Sequence, residues 1–261
     1  MTIFDVVQGD GPIVLGLPHA GTAVPDPAFD ALNQNGRLLS DTDWHVDRLY
    51  EGLLDHATTV RAKFHRYVID PNRDPSGQSL YPGQNTTSLV PLTDFDGKPI
   101  WSAEPEEGEI KRRLDVYHAA YHNALDAELQ RVRDRHGIAI LYDCHSIRST
   151  VPRLFDGTLP DFNIGTNEGV TCAAVLEQAV KDICEAAPGY STVVNGRFKG
   201  GWTTRHYGRP AEGLHAIQME LAQSTYLQSE TEPWAYDPEK AERLRRHLRL
   251  ILETLAELAP R

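Results

Sequence analysis

The stretch Gly137–Ser149, GIAILYDCHSIRS, decides the fold. From Ile138 to Tyr142 it carries no charge, is rich in Ile and Leu and follows the helix breaker Gly137, the pattern of a strand buried on both faces. Asp143, Cys144, His145, Ser146 and Arg148 then crowd its C-terminal end. In open α/β sheets that end is where ligands bind.

Working outward, Ile13–Leu17 (IVLGL) reads as a second buried strand, ending in Pro18-His19-Ala20-Gly21, where small residues permit a sharp turn. Asp41–Ala57 (DTDWHVDRLYEGLLDHA) predicts a helix capped by Ser40 or Asp41, with Trp44, Leu49, Leu53 and Leu54 as its apolar stripe. Thr58–Ile69 alternates as a strand or hairpin and runs into Asp70-Pro71-Asn72-Arg73-Asp74-Pro75. Ser76–Pro105 has no period and, at about 30 residues, is long enough to expect a functional loop or lid. Glu106–His136 predicts one long amphipathic helix over a sheet face, and Thr171–Ala187 and Pro238–Ala259 predict two more. Phe162–Thr166 and Thr192–Val194 read as short strands, and Asn195–Pro210 as a basic loop holding Arg197, Lys199, Arg205 and Arg209. Leu214–Leu221 alternates as a strand that points Ala216, Gln218 and Glu220 to one face. The order predicts an α/β fold, a three-layer α/β/α sandwich around a mixed, mainly parallel sheet, as one domain over residues 1–261 with a loop insertion near 76–105.

A formal net charge of -11 without any run of Lys or Arg argues against a nucleic-acid partner. No apolar run approaches the roughly 20 residues that span a bilayer, and MTIFDVVQGDGP lacks a signal-peptide pattern. Three cysteines, Cys144, Cys172 and Cys184, match neither a zinc knuckle nor a disulfide framework. A soluble protein of a reducing compartment, the cytoplasm, is therefore expected, with no membrane contact.

A lone histidine at a strand end is more often a satisfied structural residue, and an acidic residue near a helix start is often only a cap. Here His19 and His145 both follow strands, and with Asp43 they complete the two-His, one-carboxylate set of catalytic metal sites, in which a fourth position stays open for water. Glu220, on an apolar strand, is costly to bury without a reason and suits a general base; its bland reading is a pair with Arg205 or another cation. Arg73, Arg148, Lys199 and Arg205, with Asn72, suit planar recognition of carboxylates, although each alone reads as a surface charge. Cys144 is a rival nucleophile, but it neighbours His145 on a strand and so points to the opposite face.

Six linked stretches then carry a resemblance: PHAGTAVP (18–25), DTDWHVDRLYE (41–51), RYVIDPNRDPSG (66–77), DCHSIRS (143–149), NGRFKGGWTTRHYG (195–208) and HAIQMELAQSTY (215–226). Together they resemble the N-formylglutamate amidohydrolases, or deformylases, of histidine degradation, over about residues 10–230. The resemblance implies a phosphorylase/hydrolase-like fold related to the zinc carboxypeptidases. It implies hydrolysis of N-formyl-L-glutamate to formate and L-glutamate, one divalent metal ion, zinc by preference, and a small anionic substrate. Under it, His19 and His145 match the metal histidines, Glu220 the general base, and Asn72-Arg73 the pair that holds a substrate carboxylate. The carboxypeptidases' acidic ligand lies three residues after the first histidine, where this chain has Thr22, so the role passes to Asp43, with Asp47 as the alternative. Arg205, with Lys199 or Arg148, is expected at the second carboxylate. Two rival readings are a related amidohydrolase of another N-acyl amino acid and a non-catalytic module that binds an acidic amino acid.

Overall fold

The computed structural model of the protein describes residues 2–80 and 83–259. Seven strands form one sheet: β1 (Phe4–Val7), β2 (Ile13–Leu17), β3 (Thr58–Ala62), β4 (Ala139–Ile147), β5 (Phe162–Gly165), β6 (Thr192–Val194) and β7 (Leu214–Ala222), in the order β1-β3-β2-β4-β7-β5-β6. The β2-β3, β2-β4, β4-β7 and β5-β6 pairs are parallel, and β1-β3 and β5-β7 are antiparallel. The mixed, mainly parallel sheet is thus the expected one.

Among the described residues seven α-helices flank it: α1 (Asp26–Ala31), α2 (Val46–Tyr50), α3 (Glu107–Arg113), α4 (Ala119–His136), α5 (Ala174–Ala186), α6 (Trp202–Tyr207) and α7 (Pro238–Leu258). One sheet face buries Ile140, Tyr142, Ile217 and Met219 against Leu49 of α2, Val180 of α5 and Leu248 and Ile251 of α7. The other buries Ala139, Leu141, Leu214 and Ala216 against Tyr121, Leu125 and Leu129 of α4. This is the three-layer sandwich, and among the described residues no helix is long and apolar enough to cross a membrane. Local chemistry sets the helix ends: Asp237 accepts from Glu239 N and Lys240 N at 3.0 Å with Pro238 following, and Gly137 closes α4 at φ 74.

Four expectations need correction. The 41–57 helix is only α2, because His45 takes φ 60 and Gly52 φ 66, conformations that no helix continues through. The strand or hairpin expected over 58–69 is a single strand that stops at Ala62, after which the chain leaves the sheet and His65 N donates to Ala23 O. The long helix is interrupted between α3 and α4 by a π-helical turn, Leu114–His118. Strand β4, expected to end at Tyr142, stays paired with β7 through Ile147, so Asp143 and His145 lie within the sheet and not beyond it. Strand β1 and helix α6 had no counterpart in the sequence reading.

Candidate active site

Strand alternation decides which side chains share the site. Asp143 and His145 of β4, with Gln218 and Glu220 of β7, follow the parity of Ala139, Leu141, Leu214 and Ala216, so they share the face covered by α4. Cys144 belongs to the opposite cluster, where burial pushes its thiol well above the ordinary range. It is not placed to act as a nucleophile at this site.

Three donor atoms converge. His19 Nδ1 and His145 Nδ1 are 3.1 Å apart, and Asp43 Oδ2 lies 3.7 Å from the first and 3.3 Å from the second. Donors at about 2.0–2.2 Å from a tetrahedral ion are about 3.3–3.6 Å from one another, so the spacing suits such an ion. The set is buried, with His19 and His145 at 2% exposure and Asp43 at 1%. Asp43 arrives from the irregular segment ahead of α2, where its N–H donates to His19 O, and its Oδ2 accepts from Ser146 N at 3.0 Å. Asp47 instead pairs with Arg61 at 2.6 Å, away from both imidazoles, and Thr22 is exposed.

Each imidazole is pinned at its far nitrogen. His19 Nε2 lies 2.7 Å from Asp70 Oδ1, and His145 Nε2 lies 3.0 Å from Asp143 Oδ1. A carboxylate behind an imidazole fixes its orientation and tautomer, which leaves each Nδ1 turned to the point where the three donors meet. Asp143 is held in turn by the Thr204 hydroxyl, and Asp70 by Arg66 Nη2 at 3.1 Å. Burial opposes charge on His145, yet Asp143 and Asp43 together hold its ring well above the ordinary range. Burial likewise opposes charge on Asp43, but His19, His145 and Arg66 hold its carboxyl below the carboxylate range. The donor set fits a divalent metal, and the Arg66 guanidinium stands beside it, with Nη2 2.9 Å from His19 Nδ1.

A cavity of about 70 Å³ opens beside this cluster, lined by His19, Asp43 and His145 together with Arg66, Asn72, Arg73, Arg197 and Glu220. Glu220 sits opposite His145 in the β4-β7 register and accepts from Gln218 Nε2 at 3.1 Å, and burial pushes it up to about 8. Arg73 is anchored by Thr87, through Nε to the carbonyl and Nη2 to the hydroxyl, both at 3.0 Å. Asn72 lines the cavity and is fixed through Oδ1, which accepts from Thr203 N at 2.9 Å, with its Nδ2 beside the His145 ring. Gly201 permits this fit, since a Cβ there would stand 2.3 Å from Asn72 Nδ2.

Arg148, Lys199 and Arg205 do not line the cavity. Arg148 pairs with Asp96 at 2.9 Å, Lys199 with Glu168 on the surface, and Arg205 turns Nε back to Gly200 O. Arg197 lines it instead, donating through Nε to Leu154 O at 2.7 Å and through Nη2 to Asn85 O at 3.0 Å. Arg66 and Asp70 had a signal in RYVIDPNRD, an i,i+4 pair of opposite charge beside the Asn-Arg motif, as had Gln218, two residues before Glu220. Asn85, Thr86, Thr87 and Phe95 come from the loop 76–105, which forms a wall of the cavity.

Comparison with known proteins matches residues 11–227 to a family model described as N-formylglutamate amidohydrolase. The chain is 46% identical over 251 residues to the N-formylglutamate deformylase of Pseudomonas putida, covering 95% of this chain and 93% of that protein. It is equally 46% identical over 252 residues to the deformylase of Pseudomonas aeruginosa, covering 95% and 94%. Among solved structures, the N-formylglutamate amidohydrolase of Ralstonia eutropha superposes with a TM-score of 0.83 at 27% identity, covering 99% of this chain and 98% of that one. A gene product of Agrobacterium tumefaciens shares the fold at a TM-score of 0.74 and 17% identity, covering 98% and 96%.

Proposed function

Since the chain belongs to the N-formylglutamate amidohydrolase family, we propose that it hydrolyses N-formyl-L-glutamate to formate and L-glutamate with one divalent metal, zinc by preference, held by His19, Asp43 and His145. The reading is carried by one observation: the three converging donors share a small cavity with the buried carboxylate of Glu220 and the guanidiniums of Arg73 and Arg197. A metal bound there would polarise the formyl oxygen and lower the pKa of a water from 15.7 towards about 7.

The chain's own groups do the rest. Glu220 takes a proton from the water that adds to the formyl carbon and delivers it to the nitrogen as the C–N bond breaks. Burial keeps its basicity higher than that of an exposed carboxylate, which suits proton traffic near neutral pH. Arg73 takes one substrate carboxylate with Asn72 as its neighbour, and Arg197 takes the other. Phe95, Ile147, Leu154 and Phe198 line the same cavity and restrict the acyl group, so formyl is favoured over a longer acyl chain.

The reading describes one hydrolase domain acting in histidine degradation, in the cytoplasm; its three cysteines are free and buried, as a reducing compartment requires. The test is metal analysis of the purified protein alongside formate release from N-formylglutamate before and after chelation. Stoichiometric metal with chelator-sensitive, zinc-restored turnover is expected. Undiminished turnover by metal-free protein overturns the metal assignment, and absence of formate release by metal-loaded protein overturns the substrate.

A further inference from the structure

Behind the Asn72-Arg73 turn lie two buried histidines that the mechanism does not use. His118 ends the π-helical turn and His122 follows in α4, four residues on and so on the same helix face. His118 Nε2 lies 3.0 Å from Arg73 O, and His122 Nε2 lies 2.7 Å from Pro71 O. A carbonyl only accepts, so each Nε2 carries the proton. We propose that His118 and His122 are positioning residues of the substrate site, gripping the carbonyls on both sides of Asn72 and thereby fixing where Arg73 meets a substrate carboxylate. The proposal rests on the reading that Arg73 binds that carboxylate.

Four further observations support it. The two side chains are 3% and 7% exposed, so neither hydrogen bond competes with bulk water. Burial lowers both imidazoles, that of His122 to about 3, which keeps them neutral behind a guanidinium they would otherwise repel. The opposite side of the turn is gripped too. Trp202 packs against both rings, with centroids 5.3 Å and 4.6 Å away, and begins α6, whose Thr203 N–H takes Asn72 Oδ1. The π turn contributes directly, because one extra residue in a helix rotates everything after it by about 100° and sets which side chains meet the 70–73 turn.

The experiment compares His118→Leu, His122→Leu, His118→Gln and His122→Gln with Arg73→Ala, each loaded with zinc and checked for metal content. Leucine removes the donor, and glutamine restores an N–H near the Nε2 position. Each Leu variant should raise KM for N-formylglutamate about tenfold, with a smaller fall in kcat, and each Gln variant should recover most of that loss. The reading of Arg73 fails if Arg73→Ala leaves KM unchanged. The positioning proposal fails separately, if Arg73→Ala raises KM while the Leu variants do not, or if the Gln variants are no better than the Leu variants. Where a Leu variant does not fold, its Gln counterpart decides: a near-native KM supports the proposal, and a KM as high as that of Arg73→Ala overturns it.

Discussion

The His19–Asp43–His145 cluster proposed to hold the metal and the Arg73–Arg197 rim proposed to hold the carboxylates share one cavity but are built on different principles. In the cluster every group is buried and held: His19 and His145 are tied at their far nitrogens to Asp70 and Asp143, and Asp43 Oδ2, the oxygen that faces both rings, accepts from Ser146 N. At the rim, Arg73 and Arg197 are held by oxygens of loop residues, Thr87 for the first and Leu154 and Asn85 for the second. Charges in a low-dielectric interior are strongly coupled, whereas the rim guanidiniums are set by loop oxygens, with Arg73 Nη1 also 3.9 Å from Asp70 Oδ2. Damage to the cluster should therefore appear as lost metal or lost turnover, and damage to the rim as lost substrate affinity.

The largest effect should come from Glu220→Gln, which keeps the shape of the site but removes its base. With metal content unchanged, kcat should fall about 10²–10⁴-fold, measured by formate release under zinc saturation. Full activity in a metal-loaded Gln variant would remove Glu220 from the reaction. Next is the support behind the histidines: Asp70→Asn should weaken metal affinity about 10–100-fold in competition with a chromophoric chelator, while KM at saturating zinc changes little. A raised KM with native metal affinity would erase the division between the two regions.

At the rim, Arg73→Ala and Arg197→Ala should each lower kcat/KM about 10–100-fold through KM, with native metal content, since a charge-assisted hydrogen bond contributes about 1.5–3 kcal/mol. Arg73→Ala should lower kcat as well, because a misplaced formyl carbon loses its alignment. N-formyl-4-aminobutyrate lacks the α-carboxylate and N-formylnorvaline lacks the side-chain carboxylate, so the pair assigns each arginine. The variant at the matching position should treat the truncated substrate as the wild type does. If both arginines respond identically to both compounds, separate carboxylate sites are wrong.

The same contrast explains what could be read from the sequence. His19, His145 and Glu220 were legible because buried strands leave apolar runs and a polar residue in such a run has to be accommodated. Asp43 was legible by its partners, although for the wrong local reason: the segment expected to be helical is irregular, and that irregularity lets Asp43 Oδ2 reach both imidazoles. The rim was not legible in the same way. Arg197, Lys199 and Arg205 occupy one loop, yet of the three only Arg197 lines the cavity. What separates them is Glu168 beside Lys199 and the Gly200 carbonyl beside Arg205, contacts that no local pattern encodes. The extension of β4 through His145 was hidden for a related reason, since its polar residues look like a strand end until β7 is known to pair with them throughout.

The smallest expected effect separates the regions by pH. In metal-free protein, burial holds the Glu220 carboxyl up to about 8, against about 4.3 in the unfolded chain. Between those values the folded state binds more protons at this site than the unfolded state. Stability to unfolding therefore falls as pH rises through the window, by at most about 1.4 kcal/mol per pH unit from this group. Asp43 and Asp70 are shifted down instead, so their contribution is present above the unfolded carboxylate range and is lost only as pH falls below it. Urea unfolding of chelated protein from pH 5 to 8 should thus show Glu220→Gln gaining stability over the wild type as pH rises. Arg73→Ala should run parallel to the wild type, because arginine does not titrate there. Parallel curves for all three proteins would mean that the Glu220 carboxyl is no harder to ionise in the folded state than in the unfolded chain.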